Sequence, residues 1–296
     1  MDRNVRAERP DPALPVRVGS VQQLTDGVRR LTQDNPGPFT GLGTNSYLIG
    51  RAGEPQIVLD PGEDRDDGHL ERLVEAVGDD RLGAVLISHA HPDHWPLAPR
   101  LAARCGAPIL AYDARAGLSP DRRIAEGERI ETGSLELVAL HTPGHASDHL
   151  CFLLAGSGVL FCADHVMGWS TTVIAPPDGN LQAYMATLDR LLELDADLYL
   201  PGHGEAVCEP RRRVVELQDH RRGRTEQLVA ALRQAPGTPA ELVARIYTDV
   251  DPRLHGAARL SLLAHLEALA ADGLATASGE EPASALYRWV GDHASR

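Results

Sequence analysis

The chain is short of the patterns that would place it in several large classes of protein. Its four cysteines, Cys105, Cys151, Cys162 and Cys208, are scattered and form no Cys-x-x-Cys pair. Neither a disulfide framework nor a thiolate zinc site is therefore expected, and a reducing, cytoplasmic location fits. No run approaches the roughly 18 apolar residues that a membrane span needs, so no membrane partner is expected. Residues 1–15 carry Asp2, Arg3, Arg6, Glu8 and Arg9 without an apolar stretch, which argues against a secretory signal peptide. Positive charge is also scarce. The 29 Lys and Arg stand against 42 Asp and Glu, and a formal net charge of -13 repels phosphate backbones unless basic residues concentrate locally. No short-period repeat is present. What remains, in 296 residues, is room for one large α/β domain and a smaller appendage.

Up to residue 208, short apolar runs alternate with turn residues and helical spacing. Residues 56–59 precede Asp60-Pro61-Gly62, a strand and then a turn, and 69–77 carry apolar residues at helical spacing. Residues 84–88 read as a second buried strand, 95–105 as the helix after it and 108–112 as a third strand; this alternation predicts a layered α/β fold. From residue 123 the rhythm becomes that of hairpins, with strands at 129–131, 135–140, 150–154 and 159–163 and turns at Gly133-Ser134 and Gly156-Ser157-Gly158. A helix at 181–194 and a short strand at 198–200 close this region, whose halves 16–125 and 126–208 would be related layers of one sandwich.

Beyond Cys208 the composition shifts towards Arg, Ala and Leu. A long helix is expected over 211–234, ended by Pro236-Gly237-Thr238-Pro239, then helices at 239–247 and 255–272 and a hairpin pairing 274–277 with 285–290. Three helices and a hairpin resemble a winged helix. The expected domains are an N-terminal extension at 1–15, a catalytic domain at 16–208 and a C-terminal winged-helix-like domain at 209–296.

Chemistry concentrates at His89-Ala90-His91-Pro92-Asp93-His94, directly after an apolar run, where four potential ligands fall within six positions. His145, Asp164 and His203 each follow their own short apolar run, and strand ends on one edge of a sandwich can converge. In an extended chain His89, His91 and Asp93 share a face while His94 points away, so gathering all four requires a tight loop, which Pro92 suits by lacking a backbone donor. Neutral imidazole and carboxylate are ligands that Zn(II), and less selectively Mn(II) or Fe(II), accept. Seven such groups suffice for two ions, which can share a bridging water, lower its pKa and polarise the bond under attack. The competing reading of Asp164 is a helix cap.

These residues, in order with Gly43-Thr44-Asn45-Ser46-Tyr47-Leu48, Leu59-Asp60-Pro61-Gly62, Thr142-Pro143-Gly144-His145 and Pro201-Gly202-His203-Gly204, resemble the metallo-β-lactamase fold superfamily over residues 16–208. The resemblance implies an αββα sandwich with two metal ions at one edge. It assigns His89, His91 and His145 to the first ion, Asp93, His94 and His203 to the second, and Asp164 to a bridge between them, with Asp93 and Asp164 in the catalytic machinery. Asp60 would orient the loop. His91, where the di-iron oxidoreductase branch usually has a carboxylate, favours the zinc hydrolases. Asn35-Pro36-Gly37-Pro38, the sequence over 145–149 and the C-terminal helices with His220-Arg221 are similar to the subgroup of the β-lactamase-like endoribonuclease, which also resembles fungal polyketide-releasing thioesterases.

For substrate selection, Trp95, His149, His165 and Trp169 are candidate pocket residues, with Met167, Ile174, Pro176 and Pro177 as apolar bulk after Asp164. The competing reading gives the apolar residues to the core and makes His149 and His165 structural. The expected activity is a dinuclear, zinc-dependent hydrolase in which a metal-bound hydroxide attacks an ester, thioester or amide of a small molecule. The alternative is a metal-dependent endoribonuclease acting on single-stranded RNA, argued from Arg211, Arg212, Arg213, Arg221, Arg222 and Arg224, although Glu216, Asp219 and Glu226 interrupt that basic run and suit a solvated helix face. DNA reading is not expected, because helix 255–272 has Arg259 as its only permanent cation; the C-terminal module would be a wall of the cleft or a homodimer contact. A non-catalytic scaffold that has kept its metal site and a persulfide-type iron oxygenase are the remaining readings.

Overall fold

The computed structural model describes residues 14–248 and 255–291. The expected N-terminal extension at 1–15 lies outside the described residues except for Leu14 and Pro15. The chain forms two compact units. One comprises residues up to Thr142, 148–172 and 193–213; the other comprises 143–147, 173–192 and the chain from Val214 onward.

The first unit is built on two sheets. One runs in sequence order: β1 (Val21–Thr25), β2 (Val28–Thr32), β3 (Asn45–Ile49), β4 (Gln56–Leu59), β5 (Leu82–Leu86), β6 (Ile109–Ala111) and β7 (Arg122–Arg123). Pairing is antiparallel from β1 to β4 and parallel from there to β7. The other sheet is formed by β8 (Arg129–Thr132), β9 (Leu135–His141), β10 (Leu150–Leu154), β11 (Val159–Ala163) and β12 (Leu198–Pro201), in the spatial order β12-β11-β10-β9-β8. The division expected near residue 125 thus falls between the sheets.

Period-two alternation explains the layers. Tyr47 and Ile49 of β3, Ile57 and Leu59 of β4, and Ala84 and Leu86 of β5 join Leu150, Phe152, Phe161, Leu198 and Leu200 of the other sheet in one buried cluster. The residues between them, Leu48, Val58 and Val85, face the opposite way into a second cluster with helix α1 (Asp67–Val77) and helix α2 (Ala98–Cys105). Sheet strands buried on both faces read as continuous apolar runs, which is why 84–88 is legible as a strand. Helix α1 starts at Asp66, whose carboxylate accepts from Gly68 N at 2.8 Å. Helix α2 begins at Ala98, later than the expected residue 95, because the preceding residues belong to the loop that bears His94.

The second unit holds helix α3 (Leu181–Glu193) up to residue 192 and most of helix α4 (Pro210–Gln234). Helix α5 (Pro239–Ile246), helix α6 (His255–Ala271) and the hairpin of β13 (Ala275–Ser278) with β14 (Leu286–Trp289) follow. Thr238 and Glu241 cap α5 reciprocally, with Thr238 N donating to Glu241 Oε2 at 2.8 Å. Leu228 and Leu232 of α4, Leu242 and Val243 of α5, Leu262, Leu266 and Leu269 of α6, and Tyr287 of β14 share one core. This is the three-helix-and-hairpin arrangement expected after Cys208.

Leu73, fully buried between α1 and its sheet, provides a test of this packing: Leu73→Ala should lower the unfolding free energy by about 2–5 kcal/mol, read as an earlier midpoint in urea.

Candidate metal centre

Strand ends on one edge of the first unit supply the chemistry. Ser88 and His89 follow β5, Asp164 follows β11, and His203 lies two residues after β12. Within the first unit, two sets of side chains bring one potential ligand atom each within 4.8 Å of one another: His89, His94 and Asp164; and Asp93, His94 and His203. The six-residue motif is folded as the tight loop its spacing demands, with His94 N donating to His91 O at 3.1 Å.

Each imidazole is aimed by what its other nitrogen meets. His94 Nδ1 lies 2.9 Å from Asp60 Oδ2, so it donates there and leaves Nε2 as the atom that faces the carboxylates. Ser88 Oγ donates to Asp60 Oδ2 at 2.6 Å and sits 2.9 Å from His89 Nδ1, so its oxygen accepts from that ring. Asp60 Oδ1 accepts from Ser88 N at 2.8 Å. A single carboxylate, 2% exposed, thereby orients two ligands. Asp60 reaches them from a left-handed backbone, φ 52, a conformation that Asp tolerates better than most residues. His203 Nδ1 lies 3.2 Å from the carbonyl of Gly43, and His145 Nδ1 lies 2.6 Å from that of Val173.

The remaining nitrogens face carboxylates. His203 Nε2 is 3.2 Å from Asp93 Oδ2 and 3.4 Å from Asp164 Oδ1; His94 Nε2 is 3.6 Å and 3.5 Å from the same atoms. Both Nε2 atoms are buried and make no hydrogen bond among the described residues. Buried nitrogens that forgo hydrogen bonds beside carboxylates suit a cation held between them. The donor set of imidazole nitrogen and carboxylate oxygen fits a divalent metal ion.

The electrostatics point the same way. Burial by itself would depress His94, but Asp93, Asp164 and Asp60 outweigh it and hold the ring well above its ordinary value. The same opposition, led by Asp164, lifts His203 to about 9. Burial would raise Asp93, yet His94 and His203 bring it down to about 2, and His203 and His94 take Asp164 well below the usual carboxylate range. Without metal, protons supply the positive charge this pocket requires.

Close packing leaves no slack. A Cβ on Gly202 would lie 2.4 Å from Asp164 Oδ1 and 2.9 Å from His94 Cε1, so only glycine admits both ligands there. Ala163, just before Asp164, has φ 40, a backbone costing an L-residue roughly 1–2 kcal/mol. His149 helps hold it: its Nε2 accepts from Asp164 N at 3.3 Å, which places its proton on Nδ1, 2.8 Å from Thr142 Oγ1.

Of the four expected pocket residues, His149 and His165 have no exposed surface. Trp95 is half-buried and packs on the cluster between α1, α2 and their sheet, with Gly117 against its ring. Trp169, 43% exposed, is the member that presents a large surface. Sequence reasoning missed Ser88, whose hydroxyl relays His89 to Asp60, and Asp148, 4% exposed, whose Oδ2 accepts from Ala90 N at 3.0 Å and fixes the motif loop. Serine after a strand carries no distinguishing pattern, and Asp148 stands out only by its place beside His149.

Residues 39–203 match the model of the metallo-beta-lactamase superfamily, and 238–289 match that of the beta-lactamase associated winged helix domain. The chain is 28% identical over 287 residues to a beta-lactamase-like protein 2 homolog of Caenorhabditis elegans, covering 94% of each. It is 32% identical over 250 residues to an atrochrysone carboxyl ACP thioesterase of Aspergillus chevalieri, covering 83% of this chain and 77% of that one. Its fold is shared with a metallo-beta-lactamase family protein of Thermus thermophilus, at 25% identity and a TM-score of 0.74, covering 89% of this chain and 99% of that one.

The pH dependence follows from these shifts. His203, raised to about 9, adds stability that is complete below the unfolded value near ~6.5 and lost as pH rises through 9; Asp93, lowered to about 2, adds stability present above ~3.8 and lost as pH falls through 2. Thermal unfolding of metal-free protein should therefore peak between pH ~4 and ~6.5 and fall towards pH 9. Metal uptake at pH 7.5 should release protons into a weakly buffered indicator; uptake without release would contradict the assignment.

Proposed function

The chain belongs to the metallo-beta-lactamase superfamily and is a hydrolase of that fold, and on this premise we propose that it is a dinuclear, zinc-dependent hydrolase of small apolar esters, thioesters or amides, acting in the cytoplasm. His89, His91 and His145 would hold one ion, Asp93, His94 and His203 the other, with Asp164 between them. When bound, such a pair of cations supplies Lewis acidity and a water ionised near neutral pH. The chain's own groups do the rest. Asp60 fixes the tautomers of His94 and, through Ser88, of His89. Asp93, at 21% the more exposed carboxylate against 9% for Asp164, would be the one to orient an attacking water.

The observation carrying the substrate class is an exposed apolar patch beside His203. Phe39 and Leu42 are 56% and 53% exposed on the loop that ends at Gly43, whose carbonyl holds His203. The ring of Trp169 packs against Gly41 of that loop and against Gly204, the residue after His203. Large exposed hydrophobic side chains gathered at a site mark a binding surface for apolar groups.

The basic run that motivates the RNA reading is largely committed elsewhere. Arg213 donates to the carbonyls of Met167 and Ser170 at 2.8 and 2.6 Å. Arg221, 2% exposed, lies over the Tyr184 ring and donates to Ser261. Arg224 lies over Tyr247, while Arg212 and Arg222 pair with Glu209 and Asp219. Together with a net charge of -13, this leaves little positive surface for a phosphate backbone.

Turnover of thioester, lactone and β-lactam panels compared with single-stranded RNA at low salt tests the reading; cleavage of RNA alone would overturn it. Elemental analysis of protein purified without added metal distinguishes zinc from iron. Trp169→Ala should raise KM for bulky apolar acyl substrates about tenfold with kcat little changed, corresponding to ~1.4 kcal/mol of lost contact. Asp164→Ala should lose the second ion and activity together, and an active Asp164→Ala enzyme would refute the bridging role.

A further inference from the structure

His203 is carried by a turn that leaves β12 at Pro201, and the groups holding that turn come from the other sheet. Asn45 of β3 donates from Nδ2 to the carbonyls of Pro201 at 3.0 Å and Gly204 at 2.9 Å, and from its backbone N to that of Gly202 at 2.8 Å. The hydroxyl of Tyr47, two residues further along the same strand, donates to Pro201 O at 2.6 Å. Arg30 of β2 adds a donor to Gly204 O at 3.3 Å. All three side chains are buried, Asn45 at 0%, Tyr47 at 2% and Arg30 at 1% exposure.

The donors are themselves fixed. Thr32 Oγ1 donates to Asn45 Oδ1 at 2.8 Å, which turns the amide nitrogen towards the His203 turn. Arg30 is anchored by its Nη2 on Gln22 Oε1 at 2.9 Å. The loop from His89 to His94 is set by a different group of residues, namely Asp60, Ser88 and Asp148. Two ligand groups thus rest on two separate supports.

Resting on the dinuclear reading above, we infer that Arg30, Asn45 and Tyr47 are a polar clamp that positions His203 for the second ion and leaves the first ion independent of it. Coordinating groups tolerate displacement of only about 0.5 Å, so releasing one carbonyl of the turn is enough to spoil the geometry at His203. Removal of such supporting hydrogen bonds commonly weakens metal affinity by about 10–100-fold.

Tyr47→Phe deletes one hydroxyl and keeps the ring, whose edge-on packing with Phe161 at 5.2 Å preserves the core. Asn45→Asp keeps the shape and replaces the donor with an oxygen facing two carbonyls. Metal-free wild type, both variants and Leu73→Ala would each be titrated with zinc against a chelator, with the thermal unfolding of the metal-free proteins measured alongside. Wild type should take up two ions, and both clamp variants should keep an unchanged first ion and bind the second about 10–100-fold more weakly. Leu73→Ala should hold two unweakened ions despite its lower stability. Wild-type affinity for both ions in Tyr47→Phe and Asn45→Asp would overturn the clamp alone. So would loss of both ions in step with stability. Wild type that takes up fewer than two ions would overturn the dinuclear reading and the clamp with it, so the two failures are told apart.

Discussion

Burying carboxylates is costly unless positive charge comes with them, and Asp93 and Asp164 share two imidazoles, His94 and His203, within 3.2–3.6 Å. The pocket must hold cations of some kind. Protons on the imidazoles meet that need in the bare protein, and divalent ions meet it better because each accepts several of these ligands at once. The rest of the first unit serves this arrangement. Its sheets bring distant strand ends to one edge, and its polar interior residues hold the rings in the tautomers that face the carboxylates.

Two supports converge from the same sheet on different ligand groups. Asp60, at the end of β4, steadies the motif loop after β5, whereas Asn45 and Tyr47 of β3 reach across to the turn after β12. A sandwich makes this possible, because each strand end is a neighbour of the opposite layer. Gly202 then allows Asp164 and His94 to approach to distances that any side chain at that position would forbid.

Function divides between what is buried and what is exposed. The buried ionisable groups form the sets that could hold cations. The exposed side chains near His203, Phe39, Leu42 and Trp169, are where we propose that substrate preference is read. The guanidinium groups of Arg212, Arg213, Arg221, Arg222 and Arg224 hold carbonyls, aromatic rings and neighbouring carboxylates. Their spacing along α4 looks like a charged run only because consecutive residues of a helix point in different directions.

The amino-acid sequence by itself determined the seven candidate ligands, the two-layer alternation and the helix-and-hairpin C-terminal region, because those depend on residue type at short spacing: four ligands in six positions, apolar runs bounded by Gly and Pro, helical periodicity broken at Pro236. Strands β1 and β2 were not legible, since Val21–Thr25 and Val28–Thr32 mix Gln and Arg with their apolar residues and find their pairing only in the sheet. The roles of Ser88, Asn45, Tyr47 and His149 were decided by tertiary structure alone. Each acts on a group from another part of the chain, and a hydrogen bond across a sandwich depends on which strand ends the fold brings within about 3 Å, a distance no local pattern encodes.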